Sequence, residues 1–476
     1  MKEQKLFDAI TCLPDEMIAE AALTPPRKKR LRKWHIPAVA AVLALCFFLG
    51  SVLWPDGASL GMVANAAYLA EYPDRARAAD RSNINYDKVY SQWSAEQTAL
   101  SLTEDYDTSG LDSFTRTLVQ EFFGDNVNKN RVCSPVNIYM ALAMLAETTG
   151  SDSRRQILDA LGEQDVQTLR QKANTLWNNV YRDDGKTAIL LANSLWLRND
   201  RRVTYTESTL KTLADNYYTS SFVGKMGSEQ YNQALRDWMN ENTKNLLSDQ
   251  ISGIELDDET VMALVSTIYY KSNWADEFNS ARNRTDLFYG VNGEKTVTYM
   301  NKSSRAYYYW SDSFAATAKS LGRSKMWLVL PDEGVAPEAL LQDDGFWDMV
   351  QGGSSVDKTP IEVDLSVPKF DISEQIDLTD ALTALGITDV FDMYASDFTP
   401  LSADGEPIYI SQALHGARLK IDEEGCEGAA YTVLGTDASS APPDDRVELK
   451  LNRPFVFVLT NTDNIPLFVG IVHMPQ

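Results

Sequence analysis

The sequence predicts an α+β domain in which helices dominate the first half and strands the second. Apolar residues recur at helical spacing from Leu111 onward. Later segments such as ALVSTIYY, at 263–270, are apolar on both alternations, as central buried strands are. No period of 20 to 50 residues repeats, which argues against a solenoid or a propeller.

The elements follow in order along the chain. Ser134-Pro135 opens a helix because proline fits the first helical turn, and Gly162 is placed to stop another. The predicted helices cover 111–122, a segment beginning at Ser134, 151–161, 164–181, 206–217 and 228–247. The predicted strands are Ala188 to Arg198, Val261 to Trp274, Met326 to Leu330, Ile361 to Lys369, Ile408 to Glu424, Val447 to Leu451, Phe455 to Thr460 and Leu467 to His473.

The amino-acid composition limits the classes of function that this chain can have. The 476 residues are 44% hydrophobic and include 10 tryptophans, which is enough material for a large buried core. The formal net charge of −23 argues against a nucleic-acid partner, because phosphate neutralisation needs clustered Lys and Arg on the folded part.

The N-terminal region predicts a membrane anchor. Residues 27–33 carry six Lys and Arg, and the 19 residues from Ile36 to Trp54 carry no charge. At ~1.5 Å per residue such a helix spans the bilayer core, with its basic flank in the cytoplasm. We therefore expect a cytoplasmic tail over 1–33, a single transmembrane anchor (or uncleaved signal) over 34–54, and everything later outside the cell. A signal peptide cleaved near Ala66 is the alternative, which would make the protein secreted.

Residues 55–110 are acidic and polar, and we expect a tether that contains a helix near Tyr90 to Leu102; residues 111–476 form the globular domain. Four scattered cysteines do not favour a disulfide framework. Cys12 falls in the tail and Cys46 in the membrane. Cys133, in an apolar context, is expected in the core, whereas Cys426 is expected at an exposed position where it can be oxidised.

Motifs for catalysis and metal binding are absent from the sequence. Only His415 and His473 follow the apolar run, and G-x-S-x-G, H-E-x-x-H, C-x-x-C and G-x-G-x-x-G do not occur. This count argues against a zinc site with several histidines, and a hydrolase would have to depend on one of these two residues. An envelope hydrolase using His415 stays an alternative.

The segment from Ile421 to Phe455 predicts an exposed substrate-like loop between two strands. Its small residues, such as Gly425 and Ala429, can enter a crowded sheet without steric clash. The Ser, Asp and Pro residues that follow keep its tip solvated and irregular.

Several motifs in this region and before it resemble one family. The run EEGCEGAA, at 423–430, resembles the hinge of the serpins, and NRPFVFVLTNTDNIPLFVGIVHMP resembles their C-terminal strand pair. The resemblance continues through LANSLWL, LVSTIYYKSNWADEF, VDLSVPKFDIS and ISQALHGARLKIDEEG, and covers Leu111 to Gln476. It implies the serpin fold: a helix-rich N-terminal half, three β-sheets and an exposed reactive-centre loop over 423–446.

The resemblance also implies a mechanism and its residues. A serpin offers its loop to a serine protease, forms an acyl-enzyme on cleavage, and inserts the hinge side of the loop as a new central strand. Lys369 is expected to pair with Glu423 at the hinge base, and Trp274 to lie where the loop enters the sheet. The other residues implied are the hinge Glu423, Glu424, Gly425, Cys426, Glu427, Gly428, Ala429 and Ala430, and a polar cluster that controls sheet opening, Ser134, Asn137, Ser266 and His415.

Three hinge residues depart from the family pattern: Cys426 stands where Thr or Ser is usual, Gly428 where Ala is common, and Tyr431 is bulkier than usual. In the polar cluster Asn137 and Ser266 are exchanged relative to the family. Two serines and one asparagine are expected to satisfy the buried imidazole of His415.

Counting from the hinge as the family does places the cleaved bond at Ser439–Ser440, with Ala438–Ser439 and Ser440–Ala441 as alternatives. All of these residues are small, which favours an elastase-like or subtilisin-like protease over a trypsin-like or chymotrypsin-like one.

The sequence as a whole predicts a monomeric, membrane-anchored serpin of bacterial type that faces outward. It is expected to be a protease inhibitor and not an enzyme, to form a covalent complex with its target, and to need no cofactor, metal or nucleic acid. A non-inhibitory serpin-fold binding protein, whose loop is only a substrate, is the alternative.

Overall fold

The structure is a computed structural model that describes residues 61–64, 86–101, 108–124, 128–200, 203–402, 404, 407–411, 413–426 and 446–475. All of these residues belong to one compact unit. The predicted tail, the apolar run 36–54 and Ala66 lie outside the described residues. No helix in the described part is long and apolar enough to cross a membrane.

Helices dominate the first half, as predicted. The helix that Ser134-Pro135 opens is buried along most of its length and packs against both large sheets. Gly162 ends the next helix with φ +69°, a left-handed conformation that glycine adopts without strain. The helices are α1 (Tyr86–Ser101), α2 (Ser109–Gly124), α3 (Pro135–Thr148), α4 (Ser151–Ala160), α5 (Val166–Val180), α6 (Glu207–Tyr217), α7 (Glu229–Asn242), α8 (Ser248–Ile251), α9 (Pro337–Leu340), α10 (Asp344–Val350) and α11 (Thr379–Ala384).

The first large sheet has the strand order β1-β5-β4-β6-β14-β13-β12, with β3 paired to β4. Its strands are antiparallel except for β4 and β5, which run parallel. The strands are β1 (Gly61–Ala64), β3 (Arg182–Asp183), β4 (Thr187–Arg198), β5 (Thr219–Gly224), β6 (Met262–Asn273), β12 (Phe370–Asp377), β13 (Leu414–Ile421) and β14 (Gly425–Cys426).

The second sheet has the order β15-β11-β8-β9-β10-β16-β17-β2, with β7 paired to β8. The strands are β2 (Arg131–Cys133), β7 (Arg284–Gly290), β8 (Gly293–Trp310), β9 (Phe314–Leu321), β10 (Ser324–Pro331), β11 (Asp357–Pro368), β15 (Arg446–Lys450), β16 (Phe455–Thr460) and β17 (Pro466–Val472).

The strands of the described residues are hydrogen-bonded into two sheets. The expectation of three separate sheets is therefore wrong for this part of the chain. The reason is β8, which is 18 residues long. It pairs with β7 along its first half, with β11 along its second half and with β9 at its end. One continuous strand thus joins what would otherwise be two sheets.

Part of the predicted tether is packed on the domain. β1 pairs with β5 at the edge of the first sheet. The helix expected near Tyr90 to Leu102 is present as α1; it packs against α5, and its Trp93 is buried. The segments Gly61–Ala64 and Tyr86–Ser101 therefore belong to the folded domain, and the prediction of a tether is wrong for them.

The predicted strands are largely confirmed, with one shortened. Of the segment Ile408 to Glu424, only Leu414–Ile421 is a continuous strand. Ile408 is buried in the core and Ile410 bonds through its backbone N–H to Val390, so the apolar residues before β13 fill the core from a loop.

Candidate functional site

Gly425 and Cys426 form a two-residue strand, β14, inserted between β6 and β13. Gly425 pairs with Asn273 of β6, while Cys426 pairs with Ser272 on one side and Ile421 on the other. A Cβ atom at position 425 would overlap the carbonyl oxygen of Ser272 and lie 2.8 Å from Cα of Asn273. Only glycine fits this position, because the two backbones approach so closely.

Beyond β14 the two neighbouring strands separate. β6 pairs with β4, and β13 with β12, but within the described residues no backbone pair joins β6 to β13 directly. A cavity of about 190 Å³ lies at the far end of this opening, bordered by β6, β13 and α3. Asn137, Ser266, His415 and Gly416 are among the residues that line it. The backbone edges of the two strands are thus placed to receive a further strand.

The base of the hinge carries the predicted salt bridge. Lys369 Nζ lies 2.7 Å from Glu423 Oε2, and Asn283 donates from Nδ2 to the other carboxylate oxygen. Burial alone would raise the pKa of Glu423, but the hydrogen bonds from Lys369 and Asn283 outweigh it and hold the pKa below its usual value. The Glu423 carboxylate is therefore ionised, and each of its two oxygens is bonded to a neighbouring side chain.

Trp274 lies where the chain leaves β13, as predicted. Its indole Nε1 donates to the Asp422 carbonyl at 2.8 Å, and its backbone N–H donates to the Glu424 carbonyl at 2.9 Å. Phe278 donates its backbone N–H to the Glu423 carbonyl at 3.0 Å. Three consecutive carbonyls at the start of the loop are thus held by the segment that follows β6.

A buried lysine that sequence reasoning missed supports this segment. Lys319 of β9 donates to the Asp276 carbonyl, and its Nζ lies 5.5 Å from the Trp274 ring centroid and 4.6 Å from that of Phe278. Burial lowers the pKa of Lys319 to about 8, while Asp276 opposes this shift and Lys302 adds to it. No signal in the sequence marks this residue, because β9 reaches Trp274 only in the folded sheet.

The four residues of the expected polar cluster come close to one another but bond as two groups. His415 Nε2 accepts a hydrogen bond of 3.1 Å from the backbone N–H of Ser134, so the Ser134 hydroxyl does not satisfy the imidazole. That hydroxyl is buried and has no hydrogen-bond partner within the part of the chain that the structure describes. Burial lowers the pKa of His415 to about 4, so the imidazole is neutral at pH 7. The expectation that two serines and one asparagine satisfy His415 is therefore wrong.

The second group contains Asn137, Ser266 and a residue that the sequence analysis missed, Asn193. Asn137 Nδ2 donates to the Ser266 carbonyl at 3.0 Å, and Asn193 Nδ2 donates to the Tyr217 carbonyl at 2.7 Å. The Ser266 hydroxyl lies within hydrogen-bond distance of both amide oxygens, 2.8 Å in the case of Asn193. A hydroxyl has one proton, so it can donate to only one of them at a time. The sequence does contain a signal for Asn193, because it is an asparagine within the otherwise apolar run LANSLWL.

The two described cysteines are both buried. Cys133 lies in the core as predicted, and burial raises the pKa of its thiol well above the usual range. Cys426 is also fully buried, so the expectation of an exposed position is wrong. The physical reason is β14, which places this side chain inside the sheet. Neither cysteine is in a disulfide.

The remaining hinge residues Glu427, Gly428, Ala429 and Ala430, the bulky Tyr431, and the candidate cleavage residues Ala438, Ser439, Ser440 and Ala441 lie outside the described residues. In the described part of the chain no group of three or more His, Cys, Asp or Glu residues is arranged to hold a metal ion.

A family model described as serpin (serine protease inhibitor) matches residues 109–475. The chain belongs to the serpin family. Among similar proteins, a serine protease inhibitor of Cyanea capillata is 28% identical over 367 residues, covering 73% of this chain and 93% of the relative. An α1-antiproteinase of Rattus norvegicus is 29% identical, covering 77% and 89%. An α1-antitrypsin-like protein of Tamias sibiricus is 30% identical, covering 76% and 86%.

Solved serpin structures share the fold. The native state of tengpin, a thermophilic serpin, aligns with a TM-score of 0.69 at 23% identity, covering 78% of this chain and 96% of that one. Thyroxine-binding globulin in complex with thyroxine aligns with a TM-score of 0.65 at 23% identity, covering 78% and 99%. The chain is thus similar in sequence to proteins named as protease inhibitors, and its fold is shared by a protein named for binding thyroxine.

Proposed function

We propose that this serpin is an extracytoplasmic inhibitor that traps a serine protease by a suicide-substrate mechanism and is not itself an enzyme. The observation that carries the proposal is the position of Gly425–Cys426 between β6 and β13, above a stretch where those strands do not pair directly. Cleavage of the loop frees its hinge side to continue β14 down this opening. The protease, held as an acyl-enzyme on the cut end, is carried along with it.

The energy of such an insertion is large enough to matter. About 15 inserted residues at ~3.3 Å each would carry the protease ~50 Å. Each new backbone hydrogen bond contributes roughly 0.5 to 1.5 kcal/mol, so 15 of them with side-chain burial supply on the order of 10 to 20 kcal/mol. The uncleaved molecule must accordingly be metastable and held by a kinetic barrier.

The target is proposed to be an elastase-like or subtilisin-like protease, cut at Ser439–Ser440 or at one of the two adjacent bonds. The test is incubation with elastase, trypsin and chymotrypsin, followed by denaturing gels and mass spectrometry of the released fragment. We expect an SDS-stable complex with elastase. A stable complex with trypsin alone would refute the assignment of the target.

Two variants separate inhibition from simple cleavage. Cys426→Arg places a charge where the side chain is fully buried, so the loop should still be cut but the complex should not form. Ser439→Arg should redirect complex formation toward trypsin while leaving insertion intact. If Cys426→Arg forms the complex as well as the wild type, insertion is not the trapping step.

We also propose that the protein is membrane-tethered and faces outward, in a Gram-positive type of cell without an endomembrane system. The six basic residues in 27–33 and the uncharged run Ile36–Trp54 support this proposal. The full chain should stay in the membrane fraction after carbonate extraction, and its loop should be cut when intact cells are treated with elastase. Recovery of a chain beginning near Ala66 from the medium would favour the secreted form instead.

A non-inhibitory serpin-fold binding protein is the second candidate. It is favoured by the similarity to thyroxine-binding globulin and by the departures at Cys426, Gly428 and Tyr431. Heat distinguishes the two: an inhibitory serpin gains marked thermal stability once its loop is cut, and a non-inhibitory one gains little. The hydrolase alternative has no support from His415, whose Nε2 is engaged by the backbone of Ser134.

A further inference from the structure

Cys426 occupies a position in which its thiol is closed off by neighbours from β6. It is fully buried and pairs with Ser272, so the two side chains lie on the same face of the sheet. Tyr270, two residues earlier on β6, shares that face because side chains of a strand alternate. Cys426 lies in β14, a strand of two residues.

The Tyr270 hydroxyl, on the face of the sheet that carries the Cys426 thiol, lies near the hydroxyl of Ser324. Tyr270 and Ser324 are 2% and 3% exposed, and neither buried hydroxyl has a hydrogen-bond partner among the described residues. Burial raises the pKa of Tyr270, and the Cys426 thiol on the same face of the sheet raises it further. The hydroxyls of Ser272 and Ser324 counter this shift in part without reaching hydrogen-bond geometry to the phenol.

The unpartnered Tyr270 hydroxyl lowers the free-energy cost of moving the hinge out of the sheet. Buried hydroxyls without partners destabilise the state that buries them, and they regain hydrogen bonds when water enters. Departure of β14 would open the face that carries the Tyr270 hydroxyl and would expose the Cys426 thiol. The docked state protects the thiol, while the undocked state presents it to solvent.

We propose that Cys426 is a thiol switch: with the hinge out of the sheet it forms a mixed disulfide with a low-molecular-weight disulfide, and the adduct bars the hinge from returning. The proposal rests on the proposed function, because it uses the same hinge insertion. It adds a modification site and a control that depends on the redox state outside the cell, where disulfides persist.

The chemistry is a thiol–disulfide exchange. Cys426 loses its proton to solvent, and its thiolate attacks one sulfur of the small disulfide. A new S–S bond to Cys426 forms as the S–S bond of the reagent breaks, and the second sulfur leaves as a thiolate that takes up a proton. Cys426 is oxidised and the reagent is reduced, so no other oxidant is needed. A reducing thiol reverses the step.

The adduct cannot enter the sheet because the site has no spare volume. Cys426 is 0% exposed, and at the preceding position a single Cβ atom would already overlap the backbone of β6. A chain modified at Cys426 should therefore be cleaved by the protease as a substrate without being able to trap it.

Cys133 provides an internal control. It is equally buried, but β2 leads directly into α3, a helix buried along most of its length, so exposing Cys133 would require that helix to move as well. Burial also raises the pKa of its thiol, which suppresses the reactive thiolate. A reagent that modified both cysteines equally would be reporting global unfolding.

The test uses the full chain incubated with oxidised glutathione, with modification measured at each cysteine by peptide mass spectrometry. We expect Cys426 to be modified at least about 10-fold faster than Cys133, and roughly 10² to 10³ times slower than a cysteine in an unfolded peptide. The adduct should lose complex formation with elastase and regain it after dithiothreitol. Cys426→Ser has no thiol, so whatever amount of complex it forms should be the same before and after treatment with oxidised glutathione.

The proposal is overturned if Cys426 reacts no faster than Cys133, or if the adduct still forms the complex. Failure of the proposed function is a separate result: untreated Cys426→Ser and wild type would then both form no complex with any protease. In that case hydrogen exchange of the adduct tests whether the modification keeps the hinge out of the sheet. Loss of protection at the Trp274 amide, which bonds to Glu424 when the hinge is docked, supports it, and retained protection in the adduct refutes it.

Discussion

The buried imidazole of His415 makes a specific contribution to the acid sensitivity of this protein. His415 is held neutral in the fold, with its pKa lowered to about 4 by burial, against 6.5 as the ordinary value. The folded state therefore binds fewer protons at this site than the unfolded chain does. Its stabilising contribution is fully present above pH ~6.5 and is lost as the pH falls from there toward pH ~4.

The magnitude follows from the two pKa values. The gap between 6.5 and about 4 corresponds to about 3 kcal/mol once the unfolded chain is fully protonated. Between pH 7 and pH 5 the loss is about 2 kcal/mol, because protonation of the unfolded chain is then nearly complete while the folded imidazole stays mostly neutral. With a urea m-value of roughly 3 kcal/mol/M, this shifts the unfolding midpoint by ~0.7 M.

The assay compares the wild type with His415→Gln, which keeps a polar side chain but cannot titrate. Urea unfolding midpoints are measured at pH 7, 6 and 5, and the wild type should lose about 2 kcal/mol more than the variant over this range. Ser134→Ala is the matched control: it removes a hydroxyl without a partner but leaves the backbone N–H that bonds His415, so it should keep the wild-type pH dependence. If wild type and His415→Gln lose stability in parallel, the reasoning about this imidazole is wrong.

Three further outcomes are expected. A double-mutant cycle of Lys369→Met and Glu423→Gln should give a coupling of about 1 kcal/mol in urea unfolding that shrinks at high salt, because the lysine side chain is 40% exposed. Trp274→Phe keeps the ring packing but loses the bond to the Asp422 carbonyl, and should cost about 1 kcal/mol and speed hydrogen exchange at the hinge. Gly322→Ala should cost roughly 1 to 3 kcal/mol, because φ is +52° and the added methyl meets hydroxyls of β4 and β6.

Each of these has a contrary outcome. A coupling near zero at low salt would mean that Lys369 and Glu423 do not hold the hinge base. Unchanged hinge exchange in Trp274→Phe would mean that the indole N–H is dispensable. Gly253→Ala is the control for the glycine variant, since its added methyl meets nothing within 4 Å. Equal losses in Gly253→Ala and Gly322→Ala would contradict the strain argument.

Much of the fold could be predicted because its signals are local. The helices from α2 to α7 have apolar stripes at helical spacing, and β4, β6 and β16 are apolar runs that the sequence shows directly. The sequence analysis did not identify the strands β7 and β8, because their local signal is weak. The sequence of β8, GEKTVTYMNKSSRAYYYW, is polar and half-exposed along most of its length. Its strand conformation depends on pairing with β11 and β7, and those partners are not visible in the local sequence.

The sequence by itself determined the family, the small-residue hinge and the partners of the hinge-base salt bridge. Each of these depends only on which residue types occur at which positions along the chain. Only the tertiary structure decided that Cys426 is buried and that the polar cluster divides, with Asn193 joining Asn137 and Ser266. The physical reason is distance along the chain. Ser134 and His415 are 281 positions apart, and which donor meets which acceptor depends on how β6, β13 and α3 come together in three dimensions.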